Sequence, residues 1–219
     1  MVIFEAVISR FGPEAVNLLL NDKDVKADDE AIHAVKAQSD TERVDKIRHW
    51  LQIYEVFQYI PGPQRSAIAA AVLCWADSRD ISIRLTTEDA LCKAHESLMN
   101  KCVEAYGKER DFKSLASKAL WLCYPNDVPI FDSFAQRALW VFAKIDNDIT
   151  PLSDNALIDL APQLKNREYR QFVHIWKALY DLNKQSIDAL EKHDYPYSVR
   201  VFDKILWIIG SPYYRYDSK

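Results

Sequence analysis

Apolar side chains recur at three- and four-residue steps along nearly the whole chain, the period of helices that bury one face. Val44, Ile47, Trp50, Leu51, Tyr54 and Phe57 form the clearest run. They predict a helix that opens at Ser39-Asp40 and is stopped by Pro61-Gly62-Pro63. An alanine-rich helix follows over 64–78. The β-branched stretch 81–85 reads as one short strand or as an extended connector. Thr86-Thr87 ahead of Glu88 and Asp89 is a capping sequence, starting a helix that runs to Ala105 and ends at Gly107. The next helix spans 110–123 and stops at Tyr124-Pro125-Asn126-Asp127. Val128-Pro129-Ile130-Phe131 is extended, because Pro129 pushes its predecessor out of the helical region. Asp132 opens a helix to Lys144. Further helices are expected over 153–161, over 166–192, either continuous or broken near Asn183, and over 198–209.

Composition sharpens this picture. The chain of 219 residues has only 4 glycines, Gly12, Gly62, Gly107 and Gly210, each alone. An average chain has about 7% glycine. That scarcity excludes a dinucleotide-binding G-x-G-x-x-G, a P-loop and most glycine-dependent hairpins. The expected class is all-α: a compact multi-helix fold, with 81–85 as its one candidate β element. No repeat or long linker divides the chain, so 1–219 reads as a single helical unit.

Charge separates its parts. The net is −4 and the sequence pI about 5.8, so no global basic field announces a nucleic-acid partner. Residues 1–42 hold nine acids against four bases, including the run Asp22, Asp24, Asp28, Asp29 and Glu30. That run reads as a solvated face, and it sets 1–60 apart as an acidic N-terminal helical subdomain ahead of a core over 61–219. The cysteines, Cys74, Cys92, Cys102 and Cys123, form no C-x-x-C and stand in apolar helical contexts as small hydrophobes. No targeting signature and no apolar run of about 18 residues occurs. A cytoplasmic protein with reduced thiols, no membrane partner and no cofactor is expected.

Two residues carry candidate chemistry. Lys118 has Leu115 at i−3, Trp121 at i+3 and Leu122 at i+4, so its own helix face is apolar. An amine held there loses solvation in its charged form, and the neutral form is a nucleophile towards electrophilic carbon. The alternative is a lysine that snorkels its ammonium to water. Asp132 follows an extended Pro-Ile-Phe and precedes Ser-Phe-Ala-Gln-Arg. It is an N-cap by position, and its carboxylate is held ionised by free N–H groups and the helix dipole. Such a group also suits the stabilisation of developing positive charge.

Residues 114–139, from Ser114-Leu-Ala-Ser-Lys118 through Val128-Pro-Ile-Phe-Asp132 to Arg137-Ala-Leu, resemble the active-site segment of helix-hairpin-helix DNA glycosylases. The likeness is to the 8-oxoguanine DNA glycosylase fold. There a lysine on one helix is followed by a [VF]-P-[IV]-x-D segment opening the next, with Arg or Lys five residues on. The resemblance implies that Lys118 is a Schiff-base lysine, Asp132 the catalytic aspartate and Arg137 the basic residue of the following helix, with 61–219 the glycosylase-like core. It implies a DNA-repair activity, base removal with or without abasic-site lyase activity, on DNA carrying a modified base or an abasic site. The family's hairpin glycines are replaced by Asp111-Phe-Lys-Ser-Leu-Ala-Ser117. Lys113, Ser114 and Ser117 are the candidates there for phosphate contacts.

Lys165, Arg167, Arg170 and Lys177, interleaved with Tyr169, Phe172 and Trp176, form either a nucleic-acid surface or an amphipathic helix whose aromatics face the core. Cys92, His95 and Glu96 lack the fourth ligand a closed zinc site requires, so no metal is expected. The rival to the enzyme is a non-catalytic helical interaction protein that keeps a glycosylase-like fold, with phage defence as one setting. The acidic pI and the missing hairpin glycines favour it.

Overall fold

A computed structural model of the chain describes residues 2–21, 24–37, 42–145, 169–192 and 195–211. Among them are nine α-helices and one 3₁₀ turn, and no strand. The protein is all-helical. No helix of the described residues is long and apolar enough to cross a membrane. The helix expected over 153–161, the start of that over 166–192, and the Tyr-rich 212–219 lie outside the described residues.

The chain divides into two compact units, Asn21–Ile130 and a second built from Met1–Leu20 with Phe131–Lys219. The first holds α2 (Asp24–Lys36), α3 (Arg43–Ile53), α4 (Gly62–Asp77), α5 (Glu88–Tyr106) and α6 (Lys113–Cys123). Arg43 fastens three of these. Its Nε–H donates to the Ala34 carbonyl at 2.7 Å and its Nη2 to that of Val35 at 3.3 Å, satisfying acceptors that the end of α2 leaves open. Both Nη groups bind the Asp77 carboxylate at the end of α4, at 3.1 and 2.6 Å. This planar fork-to-fork pairing is the geometry arginine is suited to.

Helix α3 ends earlier than the apolar period predicts. The Val56 N–H reaches back to the Leu51 carbonyl and the Glu55 N–H to that of Gln52, which is the Schellman pairing. Glu55 occupies the left-handed position that glycine usually takes, with φ 55°. Tyr54 and Phe57 continue the helical spacing in sequence but lie beyond this stop. The chain turns until Pro61, which caps α4, with Gly62 and Pro63 opening that helix.

Residues 81–85 are a connector and not a strand. Asp80 Oδ1 accepts from the Ser82 N–H and hydroxyl, folding a local turn. The Leu85 N–H, which a strand would offer to a neighbour, donates instead to the Asp127 carboxylate at 3.0 Å. Arg84 binds the same carboxylate through Nε, at 2.9 Å, and Nη2. Thr87 then caps α5 by accepting from the Ala90 N–H, and Gly107 closes it at φ 76°.

The second unit holds α1 (Val2–Asn21, the greater part), α7 (Ser133–Ile145), α8 (Tyr169–Asp188), a 3₁₀ turn (Ala189–Lys192) and α9 (Ser198–Gly210). Helix α8 runs unbroken through Asn183, so of the two alternatives the continuous helix holds there. The Asn183 Nδ2 donates to the Leu179 carbonyl one turn back, so the side chain bonds within its own helix. Against it lies α9: the Trp176 indole N–H donates to Asp203 Oδ1 at 2.7 Å, and Tyr180 and Ser198 share a hydrogen bond at 2.6 Å. Helices α7 and α9 approach so closely that a Cβ added at Gly210 would collide with the backbone of Phe134. In α1, Gly12 leaves room for the Leu190 side chain in the same way.

Candidate functional site

Every residue of α6 from Leu115 to Cys123 is buried, so the helix is wrapped rather than amphipathic. Its entry is fastened from two sides. Asp111 Oδ1 accepts from the Lys113 N–H at 3.0 Å, doing for the first turn what an N-cap side chain does. The His95 Nε2–H, from α5, donates to the Lys113 carbonyl at 2.9 Å. A carbonyl only accepts, so this bond fixes the imidazole tautomer. Burial is the first cause of a His95 pKa lowered to about 4 and the Lys113 charge adds to it; the bond to the carbonyl and the Asp111 charge pull the other way. His95 is therefore neutral near pH 7.

Lys118 stands one turn further along, 7% exposed. Its Nζ donates to Ser114 Oγ at 3.2 Å, and Leu115, Trp121 and Leu122 of the same helix are buried with it. Trp121 stacks on Trp50 of α3, centroids 6.0 Å apart and planes 11° from parallel. Ser117 is fully buried and its hydroxyl donates to the Ser114 carbonyl at 3.0 Å. Lys113 is half-buried beside Asp111, 3.6 Å away, and Ser114 is half-buried. Of the three candidates for phosphate contact, Lys113 and Ser114 thus have surface open to a ligand.

Asp132 belongs to the other unit. Its Oδ1 accepts from the Phe134 N–H at 2.8 Å and its carbonyl from the Gln136 N–H at 2.9 Å, so it caps α7. Arg137, on the second turn, donates to the Gly210 carbonyl at 3.1 Å and lies over the Phe134 ring. The structure gathers Lys113, Ser114, Ser117 and Lys118 on the start of α6, and Asp132 with Arg137 on the start of α7.

Other candidates resolve as structure. Tyr169, Phe172 and Trp176 are buried, which places the aromatics of α8 in the core, while Lys177 pairs with Asp181. Lys165 and Arg167 lie outside the described residues. Cys92 and His95 are buried, and among the described residues no three His, Cys, Asp or Glu side chains gather as a metal cluster would. The four cysteines are unbridged, and burial pushes the Cys102 and Cys123 thiols up to about 12, inert as nucleophiles. Cys74 is the exception to the buried pattern, being exposed.

Two buried carboxylates have roles that the sequence motifs do not single out. Asp28, part of the expected solvated acid run, is fully buried and accepts from the Trp50 indole N–H at 2.7 Å and the Tyr54 hydroxyl at 2.8 Å. The signal is its phase: it shares a stripe with Ala27, Ala31, Ile32 and Val35. Asp127 is the other, its side chain 6% exposed beneath Arg84. Glu30 and Glu42 of the acidic surplus, with Asp45, Lys46 and His49, line an open pocket of about 300 Å³. No family model, curated protein or solved structure matches the chain.

Proposed function

We propose that the protein is a DNA N-glycosylase that removes a modified or damaged base, with Lys118 as the attacking amine and Asp132 as the carboxylate that stabilises positive charge on the sugar. The observation that carries this reading is the placement of Lys118. A lysine in the middle of a helix buried from Leu115 to Cys123, itself 7% exposed, gives up much of the hydration that ordinarily keeps an ammonium charged. The resemblance of residues 114–139 to the glycosylase active-site segment supplies the role, and Asp132 at the start of α7 occupies the aspartate's place in it.

The chemistry then follows from the sugar. The Nζ lone pair forms a bond to C1′ as the bond from C1′ to the base nitrogen breaks, its electron pair leaving on the base. The new ammonium gives a proton to the departing base. The nitrogen lone pair next opens the ring, and O4′ takes the electron pair and a proton from water, leaving a protonated imine. Loss of a C2′ proton to a base in solution then expels the 3′ phosphate and nicks the strand. A carboxylate such as Asp132 favours the first of these steps, in which C1′ carries positive charge. The base reaches such an amine only after leaving the stack.

Borohydride reduces the imine to a stable amine, so the test is trapping on oligonucleotides carrying 8-oxoguanine, uracil or an abasic site. The expected result is a covalent adduct that Lys118→Ala abolishes. Absence of an adduct on all three, together with no DNA binding at low salt, overturns the enzyme and leaves the helical interaction protein that keeps this fold.

A further inference from the structure

Ser114 is a candidate phosphate contact by its place in the sequence. Its surroundings point to a second role, inside the helix. The hydroxyl lies 3.2 Å from Nζ of Lys118, one turn away on the same helix face. A four-residue spacing brings such side chains together only if both backbone segments are rigidly helical, and here the segment is held from outside. The Lys113 N–H is fastened to Asp111 and the Lys113 carbonyl to His95. The next turn is tied by the Ser117 hydroxyl on the Ser114 carbonyl. Ser114 is thus a fixed point, and the flexible four-carbon stem of Lys118 ends on it.

We propose that Ser114 is a positioning residue for the Lys118 amine, its hydroxyl oxygen accepting one N–H so that the lone pair and the remaining hydrogens take one orientation. This rests on the reading of Lys118 as the attacking amine. A free lysine stem samples many rotamers, and ordering it has an entropic cost. An amine already held on a hydroxyl has spent part of that before substrate arrives. The oxygen has a second effect. An acceptor beside Nζ stabilises the charged form, so its removal shifts the pH at which the amine becomes nucleophilic downwards.

That shift separates positioning from mere support of the fold. Among the described side chains, the buried titratable ones on α2, α3 and α5, all packed against α6, are Asp28, Arg43, Cys92, His95 and Cys102. Asp28 is bonded to Trp50 and Tyr54, and Arg43 to Asp77. His95 titrates near 4 and Cys102 near 12, as does Cys123 on α6 itself. These lie outside a profile taken between about pH 5 and 9. Asp111 and Lys113 are the charged groups at the entry of α6, and neither is altered by the variants below.

The experiment measures the rate of borohydride trapping on an abasic-site oligonucleotide against pH, for the full-length wild type, Ser114→Ala and Ser114→Thr. The expected result for Ser114→Ala is a plateau rate lowered about tenfold and a profile midpoint displaced to lower pH. Ser114→Thr, which keeps the hydroxyl, is expected to restore both. A Ser114→Ala profile that overlays the wild type overturns the proposal. So does an equal loss of rate in both variants with the midpoint unmoved, since that marks damage to the helix. A wild type that forms no adduct at any pH overturns the reading of Lys118 itself, and this inference with it.

Discussion

His95 is neutral because of where it sits, and that has a cost in acid. Its folded pKa of about 4 lies below the ordinary 6.5. As pH falls, the unfolded chain binds the proton first. The stability tied to this side chain is therefore complete above pH 6.5, is lost progressively as pH falls to about 4, and changes no further below that. The full loss is on the order of 3 kcal/mol. Urea unfolding at about pH 7 and about pH 4.5 should show a slope that His95→Gln, which keeps an N–H for the Lys113 carbonyl but does not titrate, largely removes. Residue-scale legibility follows from helical phase. Leu91, Cys92, His95, Leu98 and Cys102 form one buried stripe, so the burial of His95 is readable in the spacing, as that of Lys118 is from Leu115, Trp121 and Leu122. Its partner is not, because the Lys113 carbonyl belongs to another helix. Asp28 shows the opposite failure, where a dense run of acids hides the phase of the one that points inward.

At the scale of elements, caps were better guides than periods. Helix α5 is legible from both ends, through Thr87 and Gly107, because each bond is made by a residue type with few competitors for that position. The end of α3 is not. Its Schellman pairing needs a left-handed residue, and Glu55 supplies it where sequence reasoning looks for glycine or asparagine; Tyr59 repeats the exception at φ 61°. Nor does composition foretell that Leu85 spends its N–H on Asp127. Glycine matters most where two helices meet. Gly210 lies where a Cβ would fall 2.6 Å from the Phe134 carbonyl carbon, and its own carbonyl receives Arg137. Backbone, unlike a side chain, has no other rotamer in which to escape. Gly210→Ala is expected to destabilise the protein by more than about 3 kcal/mol, read as a lowered urea midpoint with unchanged slope. A loss within about 0.5 kcal/mol would show that α7 and α9 part without strain.

The whole molecule is two units with unlike chain paths. Asn21–Ile130 is one unbroken stretch, whereas its companion takes α1 from before that stretch and the rest from after it. The continuous unit carries its own ties: Arg43 on Ala34, Val35 and Asp77, Trp50 and Tyr54 on Asp28, Arg84 on Asp127, and His95 on Lys113. Each begins and ends inside 21–130. A fragment of those residues is expected to be helical by circular dichroism and to unfold in a single cooperative urea transition. A gradual, non-cooperative loss of signal would show that these ties are insufficient alone. The two candidate residues fall on either side of that boundary, Lys118 inside the continuous stretch and Asp132 directly after it.

The interrupted path of the second unit bears on how the protein is made. On the ribosome α1 emerges before 21–130, yet the Leu190 side chain that fills the space beside Gly12 is translated only after that stretch. Domains form as units in the order of synthesis where their chain is continuous. Here the opening helix must wait, with Ile8, Val16 and Leu19 all destined for burial but short of their final surroundings. Nascent α1 is therefore the segment a chaperone would have most reason to hold.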